Sequence, residues 1–229
     1  MGLASKVGSA QKFDLMIPTT VDQVAVVQAF CNECVWLYSI RKHFSDLFEL
    51  GDKRSELLIE VASTFFHDLN LIMIEYILVQ QCMLTDPASS GVGKENLTTN
   101  FIVSLNWSPS TLNRLRLAND KLMIFRAQIV DARNKLISHL DLKTKLHPVS
   151  MGSFTSADEK LFWASLQDFV DAAHEEAIGG PFDFKVPMPD GDVASLIHGL
   201  RDAVDYYDLV HQEDGFLLGR CGKRRFNDA

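Results

Sequence analysis

The run Arg54–Leu84, RSELLIEVASTFFHDLNLIMIEYILVQQCML, decides the fold. Leu58, Val61/Ala62, Phe65, Leu69, Ile72, Tyr76 and Val79/Gln80 recur with a 3.6-residue period, which predicts one long helix. Leu71–Leu78 is apolar almost all round, so this helix is expected at the centre of a bundle. Asp68 and Glu75 are seven residues apart and share a face; buried acids need partners, so they are read as bracing a site or meeting an arginine. The greasiest run, Leu69–Val79, is too short to span a bilayer, which needs about 20 residues.

On the N-terminal side, Gly51-Asp52 marks a break. Before it, Val24, Val27, Phe30/Cys31, Cys34/Val35 and Tyr38 form the stripe of a helix capped by Thr19/Thr20 and reaching about Phe44. Arg41-Lys42-His43 falls in its final turn, where cations complement the helix dipole. Residues 1–19 read as a flexible tail.

On the C-terminal side, Thr85-Asp-Pro-Ala-Ser-Ser-Gly-Val-Gly-Lys94 is a loop. Its Gly91-Val-Gly93-Lys94 lacks both the preceding strand and the full spacing of a phosphate-binding loop. A short helix capped by Asn96 or Thr98 follows over Leu97–Leu105, then long ones over Ser110–His139, Ser156–Ile178 and Asp190–His211. Gly179-Gly180-Pro181 stops the second of these. No strand alternation and no internal repeat is found. The expectation is an all-α antiparallel bundle of about five long helices and one short one, forming a single domain over residues 20–212, with a basic tail over 213–229.

At 229 residues, 47 % hydrophobic and 23 % charged, the chain has the balance of one ordinary globular domain. No charged-then-apolar leader is present in Met1–Asp14, and a cytoplasmic location is expected. Cys31-Asn-Glu-Cys34 has C-x-x-C spacing but no second pair and no βαβ context, so two half-buried helix cysteines are expected and no metal or cofactor. The net charge of −8 argues against a general nucleic-acid binder, and neither DNA nor a membrane is expected as partner. The charge is uneven, however. Asn113–His147 holds Arg114, Arg116, Lys121, Arg126, Arg133, Lys135, Lys143 and Lys145 against Asp120, Asp131 and Asp141, while Ser156–Asp214 is strongly acidic. One positive segment on an acidic body suits a small, directed anionic contact. A solvated basic helix face would look the same.

Within that segment Arg133, Asn134 and His139 stand out. Arginine is permanently charged and grips phosphate with a planar fork. Histidine both gives and takes a proton near neutral pH. Metal-free RNA cleavage needs these functions: deprotonation of the 2′-OH, protonation of the leaving 5′-oxygen, and a cation for the phosphorane. Asn134 would orient the phosphate or the imidazole, and Arg126 and Lys135 are candidates for RNA backbone contact. Six residues on a helix are roughly 120° apart by the short way round and about 9 Å along it. A single copy's pair therefore does not converge on one phosphate, whereas two copies about a two-fold axis can share a cleft.

An arginine, a polar residue and a histidine closing a late helix of an all-α chain resemble the HEPN superfamily motif R-x(4–6)-H. The run Ile74–Pro87, ending Leu84-Thr-Asp-Pro87, followed by Gly93-Lys-Glu-Asn96-Leu97-Thr98, is similar to the AbiU-type branch, named for phage abortive infection. The resemblance implies a homodimeric, metal-independent ribonuclease or an RNA-binding relative, often paired with an antitoxin protein or working in antiphage systems. It carries over Arg133 and His139 and, less directly, Asn134. Ile137-Ser138 departs from the basic or small residue and alanine that many relatives place before the histidine. The alternative is a non-catalytic helical module, binding a protein or nucleotide, in which the Arg–His motif is structural; a small-molecule-binding bundle ranks behind it.

Overall fold

Asp22, rather than Thr19 or Thr20, starts the first helix: its Oδ1 accepts from the Val24 and Ala25 amides at 3.1 and 3.2 Å. An aspartate here satisfies two of the four amides that a helix start leaves without partners. The computed structural model describes residues 22–134, 153–185 and 192–212. The expected tails at 1–19 and 213–229, and with them Lys135 and His139, lie outside the described residues.

The helices are α1 (Gln23–Phe48), α2 (Asp52–Leu84), the short α3 (Thr99–Val103), α4 (Pro109–Ala132), α5 (Ser156–Ala177) and α6 (Val193–Gln212). The protein is an all-α helical bundle of five long helices and one short one among the described residues. One feature was not expected. Ser89–Gly91 and Lys94–Glu95 pair antiparallel as a two-stranded hairpin, β1–β2, which is too short to show alternation. Gly91 and Gly93 hold φ of +153° and +69° in its turn, where a side chain is disfavoured.

Several boundaries move by a turn or less. The first helix runs to Phe48, not Phe44, and the second begins at Asp52 after Gly51, whose φ is +95°. The short helix is confined to Thr99–Val103, with Thr98 as its cap. Ser108 caps α4 one residue earlier than expected, with Pro109 in the first turn, where its missing N–H costs nothing. Thr155 and Asp158 close a reciprocal capping box on α5. The last helix starts at Val193, not Asp190.

The main core lies between α1, α4 and α5. Leu115, Leu122, Phe125 and Ile129 of α4 meet Phe162, Leu166, Phe169 and Val170 of α5, and Val27, Phe30, Cys31 and Cys34 close the layer from α1. Phe125 and Phe162 have ring centroids 4.9 Å apart, Phe30 and Phe169 5.7 Å. Each such buried side chain contributes about 1.5–3 kcal/mol. A smaller cluster, Leu47, Leu57, Leu58, Phe66, Val193 and Ile197, joins the α1–α2 end to α6. Because the first helix runs on to Phe48, Arg41-Lys42-His43 lie before its last turn and do not complement its end, contrary to expectation. Arg41 ties α1 to α5 through Glu159 and also meets Glu49.

The expectation for α2 needs correction. The helix kinks at Ala62 (φ −162°, ψ 71°), and beyond the kink much of the stripe that looked inward faces outward. Phe65 and Ile72 are each 61 % exposed, and Leu71 and Ile74 are also exposed. Phe66 and Ile77 point inward instead. Asp68 and Glu75 are exposed and are not internal polar groups. A helix apolar on most of its surface does not announce which side its own chain covers. By length and composition α2 is also able to cross a membrane, the one such helix among the described residues, contrary to the expectation drawn from Leu69–Val79 alone, and its best window is only 17 % buried.

Candidate active site

The end of α4 meets the end of α2. Arg126 and Arg133 are seven residues apart on α4, so they lie on one face two turns apart. Both reach the same carboxylate: Arg126 Nη2 lies 2.7 Å from Asp86 Oδ1, and Arg133 Nη2 lies 3.1 Å from Asp86 Oδ2. The three side chains are 15 %, 25 % and 20 % exposed, in the order Arg126, Arg133, Asp86. Arg126 also donates through Nη1 to the Cys82 carbonyl at 3.2 Å, satisfying one of the carbonyls that the end of α2 leaves open. Arg133 donates through Nη1 to the Asn134 side-chain oxygen at 3.0 Å. Two guanidinium charges against one carboxylate leave the cluster at +1.

Asp86 was not singled out for chemistry from the sequence, and its placement explains the loop motif around it. Thr85, buried after the last turn of α2, donates through Oγ1 to the Gln81 and Cys82 carbonyls at 2.9 and 3.1 Å. Asn100 of α3 donates to the Thr85 and Asp86 carbonyls at 3.1 and 3.0 Å, and its own oxygen accepts from Asn119 of α4 at 3.0 Å. Asn96 donates to the Pro87 carbonyl at 2.9 Å and closes the hairpin from behind. Thus Leu84-Thr-Asp-Pro87 and Asn96-Leu-Thr98 form one bracket that presents Asp86 to α4. The seven-residue spacing of Arg126 and Arg133 was the signal for a shared partner; the partner's distance along the chain hid it.

Of the residues singled out beforehand, Arg126, Arg133 and Asn134 are together at this junction. Arg126, expected to touch RNA, has its guanidinium committed to Asp86 and the Cys82 carbonyl, so here it braces Arg133's partner. Arg133 caps α4, with its amide still reaching the Ile129 and Val130 carbonyls, and Arg133-Asn134 open a wider π turn. Such turns are frequent at functional sites, where they re-aim a side chain. Arg133 Nε is buried with no hydrogen-bond partner among the described residues. Burial pushes the Cys82 thiol up, although Arg126 and Arg133 pull the other way, so this cysteine stays protonated and unreactive beside the cluster.

Among the described residues no group of three or more His, Cys, Asp or Glu could hold a metal ion. A concavity of about 320 Å³ lies between α1 and α5 and is lined by Tyr38, Arg41, Lys42, Glu49, Glu159, Lys160 and Trp163. Its arginine is held by the two glutamates and Lys42 meets Asp46, so the cations of this lining are largely committed to carboxylates of the chain's own helices.

Residues 23–196 fit the family model HEPN_AbiU2, described as AbiU2. No curated protein and no solved structure matches the chain.

Proposed function

The chain belongs to the AbiU2 family of HEPN domains, and from that premise we propose that it is a metal-independent endoribonuclease with a composite Arg/His site between two copies. The observation that carries this reading is the Asp86–Arg126–Arg133 cluster. A net cation is fixed at the end of α4, on the arginine of the family motif, by a bracket built from the family's second motif.

Arg133 clamps the scissile phosphate and holds the charge that grows on its non-bridging oxygens. His139 of one copy takes the 2′-OH proton while the 2′-oxygen attacks phosphorus. The P–O5′ bond breaks, and the leaving oxygen receives a proton from the second copy's histidine. The products are a 2′,3′-cyclic phosphate and a 5′-hydroxyl. Asn134 orients the Arg133 fork, and Lys135 contacts the RNA backbone. The setting is cytoplasmic, in toxin–antitoxin or phage defence, with an antitoxin protein as partner.

The test is incubation of the purified protein with total RNA, with and without a chelator. Cleavage should survive EDTA, leave cyclic-phosphate ends, and disappear in both His139→Ala and Arg133→Ala. Full activity in His139→Ala would remove the assignment. A second reading has its own support. The acid-rich stretch Ser156–Asp214 repels long RNA, which favours a non-catalytic module in which the Arg–His motif holds two copies together. That reading is chosen if no RNA is cut while the dimer is present.

A further inference from the structure

Beyond the kink, the exposed side of α2 carries Phe65, Leu69, Ile72, Tyr76, Val79 and Met83, spaced alternately four and three residues apart. That is the a/d spacing of a coiled-coil seam, with Phe65, Ile72 and Val79 at d and Leu69, Tyr76 and Met83 at a. Phe65 and Ile72 are 61 % exposed and Met83 is 46 % exposed. The other three are half-buried, Leu69 against the small cluster with α6 and Tyr76 under Trp36, whose indole donates to its hydroxyl at 2.6 Å. Trp36 is itself 52 % exposed and widens the patch. We propose that this seam is the surface on which a second copy of the chain docks, α2 against α2, parallel and in register.

The choice of a second copy rests on the composite-site reading; the exposure and spacing of the seam do not. From Phe65 to Met83 the seam is about 27 Å long, and at a helix width of about 10 Å it covers roughly 270 Å² in plan before Trp36 is added. The largest apolar patch on an ordinary soluble monomer is about 300–600 Å² and is often functional, and with Trp36 the seam comes up to that range without exceeding it. A standard stable interface covers about 800 Å² per partner, so the pair is expected to dissociate on dilution unless flanking residues join.

Charge selects the orientation. Asp68 and Glu75 occupy the g positions of the seam, and both are exposed. In an antiparallel pair g faces g, so acid would meet acid. In a parallel pair g faces e, where the half-buried Met73 and Gln80 carry no charge and Phe66 is turned into its own chain's core. Parallel pairing also sets the two Met83 ends, and with them the two Asp86–Arg133 junctions, at the same end of the dimer. Charge speaks against the other apolar occupant as well. A bilayer covering this face would take Asp68 and Glu75 into hydrocarbon, and the opposite face of α2 already packs on its own chain.

The test uses Phe65→Cys and Ile72→Cys as separate variants, with the native chain under the same oxidant as control. Parallel, in-register pairing predicts that each forms a disulfide between two copies; an antiparallel pair can do so at one of the two positions at most. Light-scattering mass should be that of a dimer at high concentration and fall on dilution. Ile72→Glu, on an exposed position, should be monomeric at every concentration with an unchanged circular-dichroism spectrum. A monomeric native chain, crosslinking at one position only or at neither, or a dimer that survives Ile72→Glu would overturn the proposal. So would sedimentation of a monomeric chain with phosphatidylcholine vesicles. These readouts are independent of cleavage: a seam dimer that cuts no RNA sinks the nuclease and leaves the seam, and an active monomer does the reverse.

Discussion

Replacing Asp86 by asparagine keeps the side chain's shape and removes its charge. Asp86 stands between two arginines at 2.7 and 3.1 Å, in a setting about four-fifths buried. Removing one partner of a fully buried ion pair costs about 3–5 kcal/mol, and exposed pairs contribute under about 1 kcal/mol. Partial solvation and a retained amide oxygen place this change at about 1–2 kcal/mol, a fall in Tm of roughly 3–6 °C for a domain of this size. The effect on RNA should split. The cluster goes from +1 to +2, and one more unit charge at contact distance in a wet site is worth about 1 kcal/mol, so KM for a short RNA should fall roughly five-fold. Arg133 loses the anchor for its Nη2 edge, and a clamp out of place by about 1 Å costs up to roughly 100-fold, so kcat should fall by about ten- to a hundred-fold. Initial rates on a labelled oligonucleotide, over a range of substrate and at fixed salt, read both constants. A lower Tm with kcat and KM unchanged would show that Asp86 ties two helices together and does nothing for Arg133.

Two further outcomes are expected. Asn100→Ala removes two hydrogen bonds to the bracket and leaves Asn119 without its acceptor, so it should cost about 1–3 kcal/mol in a thermal melt and lower kcat in the same direction as Asp86→Asn. Glu176 accepts from the Ser108 hydroxyl and amide at the start of α4, and these hydrogen bonds hold its carboxyl below the usual range. A depressed folded-state pKa means that the stabilisation is present above the ordinary glutamate range, near pH 4.5, and is lost as pH falls through the lower folded value. Melts of Glu176→Gln and the native chain should therefore differ at neutral pH and converge in acid; a constant gap would rule out this linkage.

Much of the architecture was legible because it is written locally. Gly179-Gly180-Pro181, Thr98 and the Ser/Thr-to-acid spacing at α5 are stop and start signals whose physics needs only neighbouring residues. The face of α2 was misread for a complementary reason. Periodicity locates a stripe, but Phe65 and Ile72 look the same whether a helix of this chain or of another covers them. In the candidate site, Arg133 was found because its motif lies within one helix. Asp86 was missed because the arginines that use it are 40 and 47 residues further along, brought to it by a turn that Asn100 and Asn119 hold from two other helices.

The kink at Ala62 has a consequence for how the molecule opens. An extended residue inside α2 interrupts the helix and separates its first ten residues from the rest. Before that interruption Leu57 and Leu58 pack with Val193 and Ile197 of α6, and just beyond it Phe66, Leu69 and Met73 join the same cluster; Ile77 and Cys82, further on, belong to the main core. The stretch of α2 up to Met73, with α6, is therefore built to open apart from the main core. Amide protons of α6 and of α2 up to about Met73 should exchange through a shared, low-energy opening, while those of α4 and α5 wait for the whole chain to unfold. The lip of the bundle is a door on its own hinge, and the arginine junction stands on the other side of it.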